Sequence, residues 1–186
     1  MTVTTDNAQR EQGRAEQDAA VAFEAIFHEH WTRVYAVLFR LVGDRAEAED
    51  LALEVFWRLY RRPPAHEHGS NLSGWLYRVA TNLGFNALRA FKRRQRYEEE
   101  AGQLVLEAAA PHDPDIAAER AEERQQVRRV LVQMKPRSAQ LLILRHSGLS
   151  YAELAAALGV SPGSIGTMLA RAEREFEAQY RALEGR

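Results

Sequence analysis

Cations, amides and aromatic residues recur at spacings of three and four between Gly74 and Tyr97. A helix gathers residues at this spacing on one face, and here they are Arg78, Asn82, Phe85, Arg89, Lys92 and Arg96, flanked by Trp75 and Arg93. Guanidinium and ammonium groups bind phosphates, and aromatic rings stack on unpaired bases. The pattern therefore predicts a surface for single-stranded nucleic acid. The alternative is a solvated basic face whose arginine stems cover apolar surface.

A second candidate for DNA contact is the C-terminal segment LSYAELAAALGVSPGSIGTMLARAER, which has the pattern of a helix-turn-helix. Ser150 is the expected N-cap with Glu153 as its capping-box partner, and Gly159 fits a left-handed C-terminal position. Ser161 is the expected N-cap of the next helix, with Pro162 at its first position. Ala155 and Ile165 supply the small contact residue and the buried aliphatic residue. The segment predicts a helix presented to the major groove, and the alternative is a plain helical hairpin.

A third candidate surface lies on the helix predicted from Arg45 to Arg61. Its apolar face comprises Ala48, Leu51, Ala52, Val55 and Leu59, and the opposite face carries Asp50, Leu53, Glu54, Trp57 and Arg61. An outward Trp and Leu among charges are typical of a protein-binding hot spot. The alternative is that Trp57 packs against the following loop or the first helix.

Catalytic and metal-binding patterns are weak in this chain. His28 and His30 are two residues apart, so on a helix they point about 200° away from each other and cannot share a metal. His66 and His68 lie in a predicted loop without an evident third ligand. The chain also lacks a phosphate-cradling glycine loop and a nucleophile–base motif. We expect no enzyme, no metal and no cofactor.

Composition and periodicity predict an all-α protein made of two small helical domains joined by a flexible acidic linker, the second containing the helix-turn-helix. The 186 residues carry a net charge of −1 and no cysteine, and no apolar run approaches a membrane span. Nucleic acid must therefore be bound by local patches. We expect a cytoplasmic protein without membrane insertion. The predicted divisions are a disordered leader (1–18), a first domain (19–97), a linker (98–116) and a second domain (117–186).

The predicted helices extend from about Ala19 to Val42, Arg45 to Arg61, Gly74 to Tyr97, Ala117 to Met134 and Arg137 to His146, ahead of the helix-turn-helix. On the third, we expect a buried stripe of Leu76, Val79, Ala80, Leu83 and Ala87. On the second helix of the helix-turn-helix, which begins at Pro162, we expect Gly163, Thr167, Ala170 and Arg174 to face outward.

Three segments together resemble the extracytoplasmic-function sigma factors of bacterial RNA polymerase: AEDLALEVFWRLY, WLYRVATNLGFNALR and LSYAELAAALGVSPGSIGTMLARAERE. The resemblance implies core RNA polymerase and promoter DNA as partners. It also admits an anti-sigma factor, although no residue of the chain points to one.

The resemblance assigns a role to each segment. It gives the first the role of binding the polymerase clamp, through Asp50, Leu53, Glu54, Trp57 and Arg61. It gives the second and its preceding loop the minus-ten element, through Asn71, Trp75, Arg78, Asn82, Phe85, Asn86, Arg89, Lys92, Arg93 and Arg96. It gives the third the minus-thirty-five element, through Ser161, Gly163, Ser164, Thr167, Arg171 and Arg174.

The chain departs from the family pattern at a few positions. Leu53 stands where the family often has Gln, and Gly166 and Met168 stand where the recognition helix usually carries Lys or Arg. We expect the second domain alone to bind promoter DNA weakly. Two other functions remain open at this point: a stand-alone helix-turn-helix regulator that binds an operator as a dimer, and a helical adaptor with a merely solvated basic face.

Overall fold

The computed structural model describes residues 3–64, 71–100 and 114–185, and all regular structure in these ranges is helical. The helices are α1 (Val3–Val42), α2 (Arg45–Arg61), α3 (Leu72–Glu100), α4 (Pro114–Gln133), α5 (Pro136–His146), α6 (Tyr151–Leu158) and α7 (Pro162–Glu184). No described helix combines the length and the hydrophobicity that a membrane span requires.

Helix boundaries follow local capping chemistry. Gly43 adopts a positive φ of 80° after α1, and the Asp44 carboxylate accepts a hydrogen bond from the Glu47 backbone N–H at 2.8 Å to begin α2. Asn71 caps α3 in the same way through the Gly74 N–H. Ser150 and Glu153 form the predicted capping box of α6.

Two helix ends differ from the predicted divisions. The leader was expected to be disordered to residue 18, but α1 begins at Val3, because the stretch is rich in Ala, Gln, Glu and Arg, which favour helix. The linker was expected over 98–116, but α3 continues to Glu100 and α4 begins at Pro114, whose fixed φ suits a first helical position. Residues 101–113 lie outside the described ranges.

Helices α1, α2 and α3 pack against one another, and α4 to α7 form a second packed group. The two groups also touch, chiefly where α3 meets α6, and their buried hydrophobic residues form one continuous cluster. The central side chains include Leu38, Leu41 and Tyr77 in the first group, and Leu144, Leu154 and Ile165 in the second. The two domains therefore lie against each other.

Candidate functional site

Helix α2 presents large apolar side chains to solvent. Leu53 is 48% exposed, Trp57 is 53% exposed and Tyr60 is 62% exposed. They border an open groove of about 420 Å³ between α1 and α2, lined by Phe23, Phe27, Leu53, Phe56, Trp57 and Tyr60. The prediction that Leu53 and Trp57 face outward is confirmed. An apolar groove of this kind fits a protein partner.

The aromatic side chains along this groove are held in place by one another. Trp57 stacks on Tyr60 with ring centroids 6.0 Å apart, and Phe23 meets Tyr60 edge-on at 5.5 Å. The Arg61 guanidinium lies 5.6 Å from the centroid of the Trp57 ring, a cation–π contact. These contacts restrict the rings in the free chain, which would reduce the entropy lost on binding.

The polar members of the α2 surface are also accessible. Asp50 and Arg61 are exposed, and the half-buried Glu54 accepts a hydrogen bond from Arg58 at 2.8 Å. The sequence pattern of α2 did not identify Tyr60 as part of this surface. Tyr60 follows Trp57 by three residues, so the two side chains lie on the same side of the helix.

On α3, the structure confirms an exposed basic face. Arg78, Asn82, Asn86, Lys92, Arg93 and Arg96 are exposed, whereas Trp75 and Arg89 are half-buried. A single helix thus carries cations and amides toward solvent over about five turns. This arrangement is suited to following the phosphates of one nucleic-acid strand.

One member of the predicted basic face is misplaced. Phe85 was expected to be outward, but it is only 3% exposed and belongs to the core. The buried face of α3 is wider than predicted and is rotated around the helix axis. Tyr77, Thr81 and Leu88 are buried without having been predicted to be. The predicted core residues Val79, Leu83 and Ala87 are only half-buried. The physical reason is that α3 packs against both α1 and α2, which together cover more than one narrow stripe.

The polar side chains at the N-terminal half of α3 already have partners. The Asn71 side chain caps the helix, accepting from the Gly74 N–H at 2.8 Å. Arg78 Nε donates to the Ala157 carbonyl oxygen at 2.9 Å, and Asn82 Oδ1 accepts from Gln140 at 2.8 Å. Further along the helix, Arg89 lies over the Phe85 ring, 5.9 Å from its centroid.

The recognition helix α7 has the predicted orientation. Gly163, Thr167, Ala170 and Arg174 are exposed, as are Ser161 and Arg171, while Ile165, Leu169 and Ala172 are buried. Ser161 precedes Pro162 as expected, but its hydroxyl pairs with that of Ser164 at 2.7 Å and makes no capping bond. The outer face of α7 is therefore built largely of small side chains and carries few cations.

The turn that orients α7 depends on Gly159 and on the two ends of α6. Gly159 has a φ of 64°, which favours glycine, as predicted. At the other end of α6, the Ser150 backbone N–H donates to the Glu153 carboxylate and holds the pKa of Glu153 below its ordinary value, with help from Arg33. The helix-turn-helix is thus fixed by local bonds.

The histidines do not form a site in the described part of the chain. His28 is exposed beside Glu24, whereas His30 is buried against the edge of Tyr77. His66 and His68 lie outside the described residues. Among the described residues, no group of three His, Asp or Glu side chains could hold a metal ion.

Two family models match separate parts of the chain. The family model for Sigma-70 region 2 matches residues 26–97, and that for Sigma-70 region 4 matches residues 124–176. The first match covers the α2 and α3 surfaces, and the second covers the helix-turn-helix.

Similar curated proteins include three sigma factors. The RNA polymerase sigma factor CarQ of Myxococcus xanthus is 31% identical over 165 residues, covering 88% of this chain and 90% of CarQ. SigW of Bacillus subtilis is 27% identical over 91% of this chain and 93% of its own length. SigE of Mycolicibacterium smegmatis is 29% identical over 87% of this chain, which spans 62% of SigE.

Solved structures share the fold. CnrH, in complex with the cytosolic domain of CnrY, aligns with a TM-score of 0.57 at 18% identity over 88% of this chain and 90% of that one. The sigma factor RpoE of Bartonella quintana, in complex with the anti-sigma factor NepR, aligns with a TM-score of 0.51 at 21% identity over 86% and 97%. With both sigma regions in order and CarQ matched over nine tenths of its length, the chain belongs to the extracytoplasmic-function sigma factors of bacterial RNA polymerase.

Proposed function

We propose that this chain binds core RNA polymerase and directs it to promoters, and that it performs no catalytic step of its own. The observation that carries the proposal is the outward pair Leu53 and Trp57 beside an apolar groove on α2. A regulator that only binds an operator does not require such a surface on a domain separate from its helix-turn-helix. The polymerase, and hence this chain, would work in the cytoplasm.

The α2 surface is proposed to bind the polymerase clamp. Its contacts would be Leu53 and Trp57 at the centre, with Asp50, Glu54 and Arg61 as a charged rim. A desolvated aromatic anchor supplies most of the affinity of many interfaces, and a charged rim sets register and association rate. Tyr60 extends the apolar centre and is added to the proposed set.

The exposed face of α3 is proposed to hold the non-template strand at the minus-ten element. Lys92, Arg93 and Arg96 would follow phosphates, and Trp75 would stack on an unpaired base. Asn71, Arg78, Asn82, Asn86 and Arg89 complete the proposed surface. Phe85 is withdrawn from it, because its ring is buried.

Helix α7 is proposed to read the minus-thirty-five element. Thr167 and Arg171 are exposed and would face the major groove, with Ser161, Gly163, Ser164 and Arg174 at its border. Arginine can bind either a phosphate or a guanine edge. Because few cations reach this face, specific binding would depend on the polymerase anchoring the chain and raising the local concentration of the second domain.

An anti-sigma factor is proposed as a further partner. Two structures of similar fold, RpoE with NepR and CnrH with the cytosolic domain of CnrY, are complexes. The exposed groove on α2 offers an apolar surface that such a partner could compete for. The stand-alone regulator is not favoured, since region 2 and region 4 both match.

Run-off transcription with purified core polymerase on a genomic fragment library tests the proposal. We expect discrete transcripts that require both the polymerase and this chain. Alignment of the sequences upstream of the transcript starts should then show one pair of minus-ten and minus-thirty-five motifs. Specific retention of a palindromic fragment without polymerase, together with an absence of transcripts, would contradict the proposal and support the operator-binding regulator.

A further inference from the structure

The outer face of α7 adjoins an aromatic ring from α6. A Cβ atom at Gly166 would lie 3.9 Å from Cε2 of Tyr151, which is ordinary van der Waals contact. Tyr151 is the first residue of α6 and is 46% exposed. Because Gly166 carries no side chain, the Tyr151 ring borders the outer face of α7 directly, and the exposed surface continues from one helix to the other.

A cation from α5 lies against the same ring. The Cζ atom of Arg145 is 5.5 Å from the centroid of the Tyr151 ring, a cation–π contact. Arg145 Nη1 also donates to the Leu149 carbonyl oxygen at 3.1 Å. Arg145 belongs to the last turn of α5, outside the helix-turn-helix. These two contacts therefore hold a guanidinium from outside the helix-turn-helix at a defined place beside it.

The charge of Arg145 is available to a ligand. Arg58 and Arg181 each form an ion pair with a glutamate, whereas no carboxylate in the described part of the chain pairs with Arg145. The Arg145 side chain is also exposed. A guanidinium has more N–H donors than these two contacts use, and their planar arrangement suits the oxygens of a phosphate. Arg145 can therefore donate to a phosphate while it stays over the ring.

The dimensions of a major groove place this cation beside a phosphate backbone. The groove is about 12 Å wide, and a helix with its side chains is about 10–12 Å across. A helix that enters the groove fills it, so a group packed against the side of that helix meets the phosphates along one edge. Arg145 is separated from Gly166 of α7 only by the Tyr151 ring.

We infer that Arg145 binds a backbone phosphate at the edge of the minus-thirty-five element, and that Tyr151 is the residue that positions it. A side chain of α5 thus supplies a cation next to a recognition helix that carries few of its own. Neither residue belongs to the α7 set proposed above. The inference rests on the proposed role of α7 at the minus-thirty-five element.

The test uses the full chain with core polymerase on a promoter fragment obtained from the run-off transcription. Arg145→Gln removes the charge but retains an N–H donor and a good helix former. It should reduce the magnitude of the slope of log binding constant against log salt concentration by about one unit, because one phosphate contact is lost. Arg129→Gln, which removes an exposed cation from α4, is the matched control and should keep the parent's slope.

A compensating substitution tests the location of the contact. An arginine side chain at position 166 begins beside the Tyr151 ring, where the guanidinium of Arg145 lies. Gly166→Arg should therefore restore the parent's slope to Arg145→Gln, whereas Gly166→Ala in the same background should not. Equal restoration by Gly166→Ala would overturn the inference, because alanine adds helix propensity without charge.

The role of Tyr151 is tested with Tyr151→Leu, which keeps apolar bulk but removes the ring. We expect a smaller reduction of the slope in the same direction, with unchanged helical circular dichroism. A slope equal to the parent's would overturn the positioning role.

Ethylation interference identifies the phosphate itself. One ethylated phosphate at the edge of the minus-thirty-five element should weaken binding of the parent and of Arg129→Gln, but not of Arg145→Gln. An unchanged slope and an unchanged ethylation pattern in Arg145→Gln would overturn the inference while the proposed function stands. If the parent chain directs no transcripts, the proposed function fails and this inference fails with it.

Discussion

On α2, the apolar side chains Leu53 and Trp57 face solvent, whereas on α3 the polar side chains Arg78 and Asn82 are held by the second domain. The apolar surface on α2 therefore faces solvent, whereas Arg78 and Asn82 on α3 are exposed but already hydrogen-bonded within the chain. A protein partner on α2 would gain mainly by removing apolar surface from water. A nucleic-acid strand on α3 would gain mainly from contacts with charged groups. The two surfaces therefore differ in the kind of partner they suit.

The largest expected effect comes from removing the α2 anchor. Trp57→Ala should weaken core-polymerase binding by at least about 2 kcal/mol, roughly thirtyfold, since the ring is exposed and truncation opens no core cavity. Affinity by fluorescence anisotropy, with circular dichroism as a folding check, measures this. Tyr97→Ala, an exposed aromatic at the far end of α3, is the matched control and should bind normally. Equal affinity of the two variants for core polymerase would contradict the proposed role of α2 in the interface.

Next in size is the loss of three cations in the C-terminal half of α3. Replacing Arg89, Lys92 and Arg93 with Ala should prevent strand opening while sparing polymerase binding, because these groups are placed to hold single-strand phosphates. Permanganate reactivity of minus-ten thymines reports opening, and the salt dependence of strand binding should fall by about two units. The control replaces the exposed Arg45, Arg124 and Arg129, which lie on other helices. Normal thymine reactivity in the first variant would indicate that the basic face of α3 is only solvated and does not bind DNA.

A smaller effect is expected at the recognition helix. Arg171→Ala, assayed in the polymerase complex, should reduce the magnitude of the slope of log binding constant against log salt concentration by about one unit if the side chain binds a phosphate. If it reads a guanine, discrimination at one base pair should fall by ~1–3 kcal/mol. Arg174→Ala is the comparison, because its Nε already donates to the Ala170 carbonyl. Promoter titrations with all four bases at each minus-thirty-five position separate these results, and no change in either measure would exclude Arg171 from the contact.

The smallest effect concerns pH. Hydrogen bonds from Ser150 and the charge of Arg33 lower the pKa of Glu153 in the folded chain below its pKa in the unfolded chain. The Glu153 carboxylate therefore stabilises the fold fully above the unfolded-state pKa, and this stabilisation is lost as pH falls through the folded-state pKa. Glu153→Gln should cost about 0.5–1 kcal/mol at neutral pH and flatten the acid limb of the stability curve. Urea unfolding across pH measures both, with Glu173→Gln, an exposed glutamate on α7, as the control. A variant that retains the parent's acid limb would refute this assignment.

Local signals in the sequence were sufficient for much of the fold. Ser150 and Gly159 each have the capping or turn role that the sequence predicts. These positions depend on bonds within a few residues, which a sequence displays directly. Four of the five side chains predicted to face outward on α2, Asp50, Leu53, Trp57 and Arg61, are also exposed, and Glu54 is half-buried.

Other features depend on which elements meet, and the sequence does not display that. Phe85 is buried because α1 and α2 together cover a broad arc of α3, which helical periodicity alone does not reveal. The partners of Arg78 are backbone carbonyls about eighty positions away, so no residue pattern marks them. Gly74 looked like a helix start and is in fact a site of close approach.

Arg137 donates to the Leu158 carbonyl at 2.8 Å, and both residues belong to the second domain. This bond, the capping box of α6 and the Gly159 turn all lie within the second domain. They do not depend on contacts with the first domain. Any movement of the second domain would therefore carry the helix-turn-helix as one rigid body, on the microsecond-to-millisecond timescale of domain motions.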